Sequence, residues 1–246
     1  MKADPFVQLR LLDLQALDSA LDRLAHRRRT LPALVEIARL DALIAARRDD
    51  VALAEATVSD LQRELDKAEG DIEQVRGRRA RDEQRLASGS ITVAKQLEDL
   101  SHEVATLRTR QGVLEDAELE VMQRMEDAQG QLDGLLEDRA RYEGDRSLAE
   151  DDRDRDLAEL DAEVSRATSE RAAVAPEIPA DLLALYERIR GAEGGVGAGP
   201  VERGRCGACR LELMQNEKAE YRAAPVDEVL RHECRRIVVR TAESGL

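Results

Sequence analysis

The 246-residue sequence contains very few aromatic side chains: it has no tryptophan, one phenylalanine and three tyrosines, so aromatic residues make up only 2% of the chain. Because aromatic side chains dominate the packing of most globular cores, this composition disfavours a conventional globular enzyme. No stretch approaches the roughly 20 apolar residues that span a bilayer. The amino-terminal residues lack the apolar core of a secretory signal, and three cysteines, an odd number, do not make a disulfide framework. These absences predict a cytoplasmic protein that does not enter membranes.

The charge balance is acidic, with 52 Asp and Glu residues against 38 Lys and Arg residues and a formal net charge of −14. A chain that repels phosphate overall does not wrap nucleic acid along its whole length, although a local basic patch would still bind it. Hydrophobic residues nevertheless make up 42% of the chain, which is too many for a disordered polyelectrolyte. High charge combined with abundant Ala, Leu, Glu and Arg is typical of long helices and coiled coils.

Positions 33–175 contain no proline, as a long helical region requires, since a proline in a helix interior costs about 3 kcal/mol. Within this region apolar residues recur at alternating steps of three and four, first over 37–75 and then over 93–135. Such steps keep one seam of each helix facing a partner helix and give a left-handed supercoil. Polar residues interrupt the second seam at Gln111 and Glu118, where we interpret them as register devices.

Two interruptions organise these helices. The segment ASGSIT at 87–92 predicts the tip of a helical hairpin, and the charged HRRRT segment predicts a break near 30–32 after a short first helix. We therefore expect an all-α long antiparallel coiled-coil hairpin over 1–175, followed by a short helix and a Gly-rich hinge over 176–200. Residues 201–246 are expected to form a small C-terminal zinc-ribbon module that contains β-structure.

The C-terminal module carries a C-x-x-C knuckle formed by Cys206 and Cys209, and Cys234 follows before a β-like run at 237–239. Structural zinc sites take four Cys or His ligands in a tetrahedral array. His232 is the only histidine of the module, so we nominate it as the fourth ligand. The prediction is one structural zinc ion that supplies most of the module's folding free energy. A redox-active C-x-x-C pair, a catalytic zinc ion and thiols without a function are the alternatives.

Four segments of the chain resemble members of a known family. They are residues 95–122 (KQLEDLSHEVATLRTRQGVLEDAELEVM), 178–199 (IPADLLALYERIRGAEGGVGAG), 204–213 (GRCGACRLEL) and 234–246 (CRRIVVRTAESGL). The resemblance is to the bacterial coiled-coil proteins with a C-terminal C4-type zinc ribbon, a former domain of unknown function, and particularly to actinobacterial members. It implies a helical-hairpin adaptor without enzyme activity, and some members are similar to regulators linked to transcription factors or messenger RNA.

The chain departs from the family pattern at one ligand position. In that pattern the second knuckle is also C-x-x-C, and Cys234 matches its second cysteine. The position of its first cysteine is Arg231 here. His232, one residue along, is our substitute for this ligand, and a water molecule, Glu233 or a weakened site are the alternatives.

Two functions are compatible with these features. The first is a non-enzymatic, regulatory zinc-binding adaptor whose hairpin and ribbon bind protein partners. No small-molecule substrate is indicated, because a Gly-rich phosphate loop after a strand is missing. The second is a protein that binds RNA or DNA through arginines near the proposed zinc ligands, unless these pair with nearby glutamates on a solvated surface. The candidate contact residues are Arg203, Arg205, Arg210, Arg235 and Arg236.

Overall fold

A computed structural model describes residues 1–246, which divide into two compact units: Val35–Ala149 form one, and Met1–Leu34 with Glu150–Leu246 form the other. None of the helices combines the length and apolar character that a membrane span needs. In chain order the elements are α1 (Pro5–Arg29), α2 (Pro32–Ala87), α3 (Ala94–Val174), α4 (Ala180–Ala192), β1 (Ala198–Glu202), β2 (Arg205–Cys206), α5 (Gln215–Ala223), β3 (Leu230–Arg231) and β4 (Ile237–Val239).

In the unit Val35–Ala149, α2 and α3 form an antiparallel hairpin whose tip lies between Ala87 and Ala94. Ion pairs between the two helices show their direction, because the α3 partner moves down the chain as the α2 partner moves up. These pairs are Asp41 with Arg146, Glu64 with Arg124, Arg76 with Glu115, and Arg78 with Glu103, at 2.5, 2.7, 2.8 and 2.7 Å. The predicted antiparallel coiled-coil hairpin is therefore confirmed.

A buried seam runs along this hairpin, and the removal of its apolar side chains from water stabilises the pairing. The interrupting Gln111 is buried as well, yet both ends of its amide are satisfied. Its Oε1 accepts a hydrogen bond from Arg79 at 2.7 Å, and its Nε2 donates to Glu115 at 2.6 Å. The buried apolar residues of the seam are Ile37, Leu40, Ile44, Val51, Leu61, Leu65, Ile72, Leu107, Val121, Leu132 and Ala149.

The other unit builds a helical core against a small sheet with the strand order β2-β1-β4-β3. Strand β1 is parallel to β4, and the two outer pairings are antiparallel. Side chains alternate across β4, as the pleat of a strand requires. Ile237 and Val239 join α1 and α4 in one apolar cluster, whereas Val238 joins a second cluster around Cys206. The predicted β-run is thus a strand shared by two cores.

The Gly-rich stretch at 191–199 was predicted to be a flexible hinge, but hydrogen bonds with α1 hold it in place. The Gln15 side-chain oxygen accepts hydrogen bonds from the backbone N–H groups of Gly197 and Ala198 at 2.6 and 3.2 Å. The Gln15 amide also donates to the Gly195 carbonyl at 3.0 Å. Ala198 is buried and begins β1, so this stretch leads directly into the sheet.

The boundary predicted at residue 201 falls inside β1, and the first residues of the chain complete the same unit. The Ala3 N–H donates to the Asp227 carbonyl at 2.7 Å, and the Val229 N–H donates to the Met1 carbonyl at 3.0 Å. The C-terminal sheet therefore does not stand alone, since α1 and α4 cover its second face. This apolar contact adds to any stabilisation that a metal ion supplies.

A buried carboxylate lies within the helical core of this unit. Asp18 is 1% exposed; it accepts a hydrogen bond from the Tyr186 hydroxyl at 2.7 Å and another from Arg171 Nε at 2.6 Å. A buried charge is tolerated only when it is paired and hydrogen-bonded, and these contacts provide both. Burial, followed by the Asp18 contact, raises the pKa of Tyr186, so the phenol remains a donor.

We expect Tyr186→Phe to lower the free energy of unfolding by about 1–3 kcal/mol, because it removes a donor from a buried carboxylate. Urea denaturation of the full-length chain, followed by circular dichroism, measures this change. Tyr142→Phe is the matched control, since Tyr142 is half-buried and lies outside the Asp18 network. Equal stability losses in the two variants would contradict the role assigned to the Tyr186 hydroxyl.

Candidate metal centre

The first pair of thiols lies at the end of β2 and in the turn that follows it. Cys206 ends β2, and Cys209 follows in a turn that closes when the Arg210 N–H donates to the Cys206 carbonyl at 2.6 Å. Gly207 is required here by a close approach, since a Cβ at this position would lie 2.8 Å from the Pro200 ring. The glycine thus allows the knuckle to fold tightly against β1.

The second pair of candidate ligands lies in the connection between β3 and β4. The His232 N–H donates to the Arg236 carbonyl at 3.1 Å, and the Arg235 N–H donates to the His232 carbonyl at 2.8 Å. Arg235 adopts a left-handed backbone conformation with φ of 67°, which closes the turn. This tight connection directs the side chains of His232 and Cys234 toward the first knuckle.

The structure brings all four predicted ligands together. One donor atom from each of Cys206, Cys209, His232 and Cys234 lies within 4.8 Å of every other. The sulfur atoms of Cys206 and Cys234 are 3.9 Å apart, and the Cys209 sulfur is 3.5 Å from His232 Nδ1. A tetrahedral zinc ion with its usual bond lengths would set these separations at roughly 3.8 and 3.6 Å. The donor set and its spacing therefore fit a zinc ion.

Burial makes the Cys206 thiolate dependent on a compensating positive charge. All three cysteines are free, and burial raises the pKa of the Cys206 thiol to about 12. Burial also acts to raise the pKa of Cys209, but hydrogen bonds from the Leu211 N–H and from neighbouring thiols outweigh it and lower that pKa. Because a buried thiolate is costly without a nearby cation, a divalent metal ion would stabilise the ionised cluster.

Glu217 packs against the far side of the histidine ring. His232 Nδ1 faces the cysteines, whereas Nε2 faces Glu217 Oε1 at 3.7 Å. The second carboxylate oxygen of Glu217 accepts a hydrogen bond from the Met214 N–H at 2.9 Å, which holds the side chain at the start of α5. The 3.7 Å separation between Glu217 and His232 is longer than a hydrogen bond, but it places Glu217 on the side of the ring from which a carboxylate orients a ligating histidine. Nδ1, which also accepts a long hydrogen bond from the Cys234 N–H at 3.4 Å, is thus the ring atom that faces the candidate metal centre.

Comparisons with known proteins agree with this architecture. A family model described as the CT398-like coiled coil hairpin domain matches residues 14–194. The uncharacterized protein Rv2229c of Mycobacterium tuberculosis is 39% identical over 241 residues, which cover 98% of both chains. A structure from Mycobacterium smegmatis has a TM-score of 0.87 and 35% identity, covering 98% of this chain and 100% of that chain. Both relatives therefore match across the C-terminal sheet as well as the hairpin.

A more distant structure shares the fold alone: CT398 from Chlamydia trachomatis has a TM-score of 0.70 at 20% identity, covering 96% of this chain and 98% of that chain. The chain belongs to the CT398-like coiled coil hairpin family. This result confirms the family expected from the sequence. The relatives are uncharacterized coiled-coil proteins, and nothing about them indicates catalysis.

In this CT398-like protein, two of the five candidate contact arginines belong to the second turn. Arg236 is half-buried, and its guanidinium donates to the carbonyls of Glu193 and Val196 at 2.8 and 3.1 Å. These bonds tie β4 to the Gly-rich stretch, so the fold already occupies the Arg236 guanidinium. Arg235 is exposed, and its carbonyl accepts a hydrogen bond from the Arg231 side chain at 2.9 Å. The Arg231 side chain thus stabilises the turn.

The other three candidate arginines share a groove beside the first knuckle. Arg203, Arg205 and Arg210 line it together with the carboxylates of Glu202 and Glu243. Their guanidiniums form no ion pair or hydrogen bond within the chain, although Arg205 lies opposite Glu212 and, after Lys218, helps to lower the pKa of that carboxyl. Together with the exposed Arg235, they are the candidate contact arginines whose guanidiniums remain available to a ligand.

Sequence reasoning missed Glu217 as a neighbour of the metal centre. The one signal for this residue is its place in the first turn of α5, where it accepts the Met214 N–H as a helix-capping glutamate does. That signal predicts a helix start and carries no information about a histidine that lies far along the chain. Only the packing of α5 against the second turn brings Glu217 and His232 together.

We expect Glu217→Gln to lower the affinity of the full-length protein for Zn²⁺ by roughly 10- to 100-fold, as loss of a carboxylate behind a ligating histidine does elsewhere. Competition with a chromophoric chelator measures the affinity. Glu220→Gln is the matched control, because Glu220 lies on the same helix and is exposed. An affinity in Glu217→Gln that equals that of the control would show that the carboxylate does not orient His232.

Proposed function

We propose that this protein is a non-enzymatic adaptor of the cytoplasm, in which one structural zinc ion stabilises the C-terminal sheet and the coiled-coil hairpin binds protein partners. The observation that carries the proposal is a set of four convergent Cys and His donors, of which Cys206 and His232 are buried, in a chain that also forms a long helical hairpin. Zinc is the metal that such a donor set favours. Free thiols also suit a reducing compartment.

The completeness of the donor set favours a structural over a catalytic metal ion. Catalytic zinc sites use three protein ligands and keep one position for water, whereas structural sites use four. The cluster also lies against the apolar core formed by Val201, Leu213, Tyr221 and Val238, which shields it from solvent. Zinc bound here would therefore crosslink the two turns and leave no position for a reacting molecule.

Replacing one ligand tests the metal assignment. We expect Cys206→Ser to lower the zinc content of the purified protein from one ion per chain to nearly none, because structural zinc binding is coupled to folding. The C-terminal sheet should then lose protection in hydrogen–deuterium exchange, while the Val35–Ala149 hairpin, which has its own buried seam, should stay helical. Mass spectrometry of the metal and of exchanged peptides measures both effects. Unchanged zinc content would contradict the ligand assignment.

A nucleic-acid partner is the second candidate function, because Arg203, Arg205 and Arg210 are exposed and unpaired around one groove. Two carboxylates in the same groove and the acidic charge of the chain work against it, so we favour a protein partner.

Crosslinking of the full-length protein in cells, with and without nuclease treatment, distinguishes the two functions. The adaptor proposal predicts protein crosslinks on the hairpin that survive nuclease and persist when Arg203, Arg205 and Arg210 are replaced by alanine. Crosslinks to RNA or DNA alone, lost in the triple variant but retained in an Arg222→Ala control, would overturn it. An affinity of the purified protein for RNA or DNA that falls steeply with salt would equally favour a nucleic-acid partner.

A further inference from the structure

An apolar groove lies open along the hairpin of the unit Val35–Ala149. Its apolar lining consists of Val58 on α2 and of Leu119, Met122 and Met125 on α3, and we call these four residues the methionine groove. Leu119 is 61% exposed and Met122 is 46% exposed, although both are large apolar side chains. A contiguous apolar patch with polar edges is typical of an interaction surface, and methionine adapts well to partners of different shape.

The groove exists because the seam leaves Leu119 and Met122 exposed next to the half-buried Val58 and Met125. Val121 occupies the buried seam position and is 5% exposed, so Leu119 and Met122 lie on neighbouring positions of α3 that face outward. The apolar Leu119 does not replace Glu118 in the seam, since Glu118 is half-buried whereas Leu119 is exposed. Burial in the hairpin therefore does not explain why these positions are apolar.

The surroundings of the methionine groove are strongly acidic. Glu126 and Asp133 lie on its edge, and no basic residue lines it. Residues 113–133 of α3 contain seven acidic residues, of which Glu115 pairs with Arg76, and one basic residue, Arg124. The Arg124 guanidinium pairs with Glu64 on α2 at 2.7 Å, so its charge is already balanced. The methionine groove thus has an apolar base and an edge that carries negative charge.

We propose that the methionine groove binds an amphipathic helix of a protein partner that carries apolar residues on one face and lysines or arginines beside them. The proposal rests on the adaptor function and names the chemistry of its partner. An apolar floor fits the apolar face of a helix that lies along a groove. The acidic edge complements flanking basic residues and disfavours a second copy of this acidic chain, because like charges would then meet.

A defined probe tests the groove directly: a fluorescent 18-residue peptide of Leu, Ala and Lys with one apolar helical face. Its binding to the full-length protein is followed by fluorescence anisotropy. A peptide of the same composition in scrambled order, which lacks the apolar face, controls for simple charge attraction. We expect the ordered peptide to bind roughly tenfold more tightly than the scrambled one, which corresponds to about 1.4 kcal/mol.

Variants then assign the binding to these residues. The double variant Leu119→Ser/Met122→Ser should weaken binding of the ordered peptide roughly tenfold. Leu53→Ser should not, because Leu53 is 71% exposed but lies outside the groove. Glu126→Gln/Asp133→Asn should weaken binding at low salt and reduce its salt dependence, since these changes remove charge from the edge.

Two results would overturn the proposal: equal affinity of the double variant and the wild type, or equal affinity for the ordered and scrambled peptides. Dimerisation of the wild type that the double variant abolishes, seen by sedimentation, would also overturn it by assigning the groove to a second copy. The adaptor function would still hold after any of these results if the cellular experiment gives nuclease-resistant protein crosslinks on the hairpin. The absence of such crosslinks in the wild-type protein would instead contradict the adaptor function itself.

Discussion

The unit formed by Met1–Leu34 and Glu150–Leu246 depends on the packing of the three residues of β4. Ile237 and Val239 pack into the helical core of α1 and α4, and Val238 packs into the core that encloses the cysteines. Because successive side chains of a strand point to opposite faces, one short apolar strand joins the two cores. Order in the candidate metal centre is thereby coupled to the helices, and Arg236 reinforces the coupling by binding the carbonyls of Glu193 and Val196.

Much of the fold could be predicted because its signals are local and periodic. The three-and-four spacing of apolar residues predicted the two paired helices of the hairpin. The absence of proline from 33–175 indicated that these helices are not interrupted by a proline. The β-run at 237–239 and the four candidate ligands also followed from residue type and spacing. His232 could be nominated because no other histidine lies nearby.

The remainder depends on contacts between distant parts of the chain. A Gly-rich sequence does not indicate that a distant side chain will bind its backbone. Here Gln15 binds the backbone of the predicted hinge and holds it in an ordered conformation that continues into β1. Glu217 likewise becomes part of the metal centre only through packing, and Arg236 could not be distinguished from its exposed neighbour Arg235 by sequence alone. Such roles are set by hydrogen-bond partners that sequence periodicity does not identify.

We infer that the candidate metal centre of this chain binds zinc through three sulfur atoms and one nitrogen atom. X-ray absorption spectroscopy of the purified full-length protein at the zinc edge is the decisive experiment. We expect three sulfur neighbours at about 2.3 Å and one imidazole nitrogen at about 2.0 Å. A shell of light atoms with fewer than three sulfurs, or no stoichiometric zinc in protein prepared without chelators, would contradict this inference.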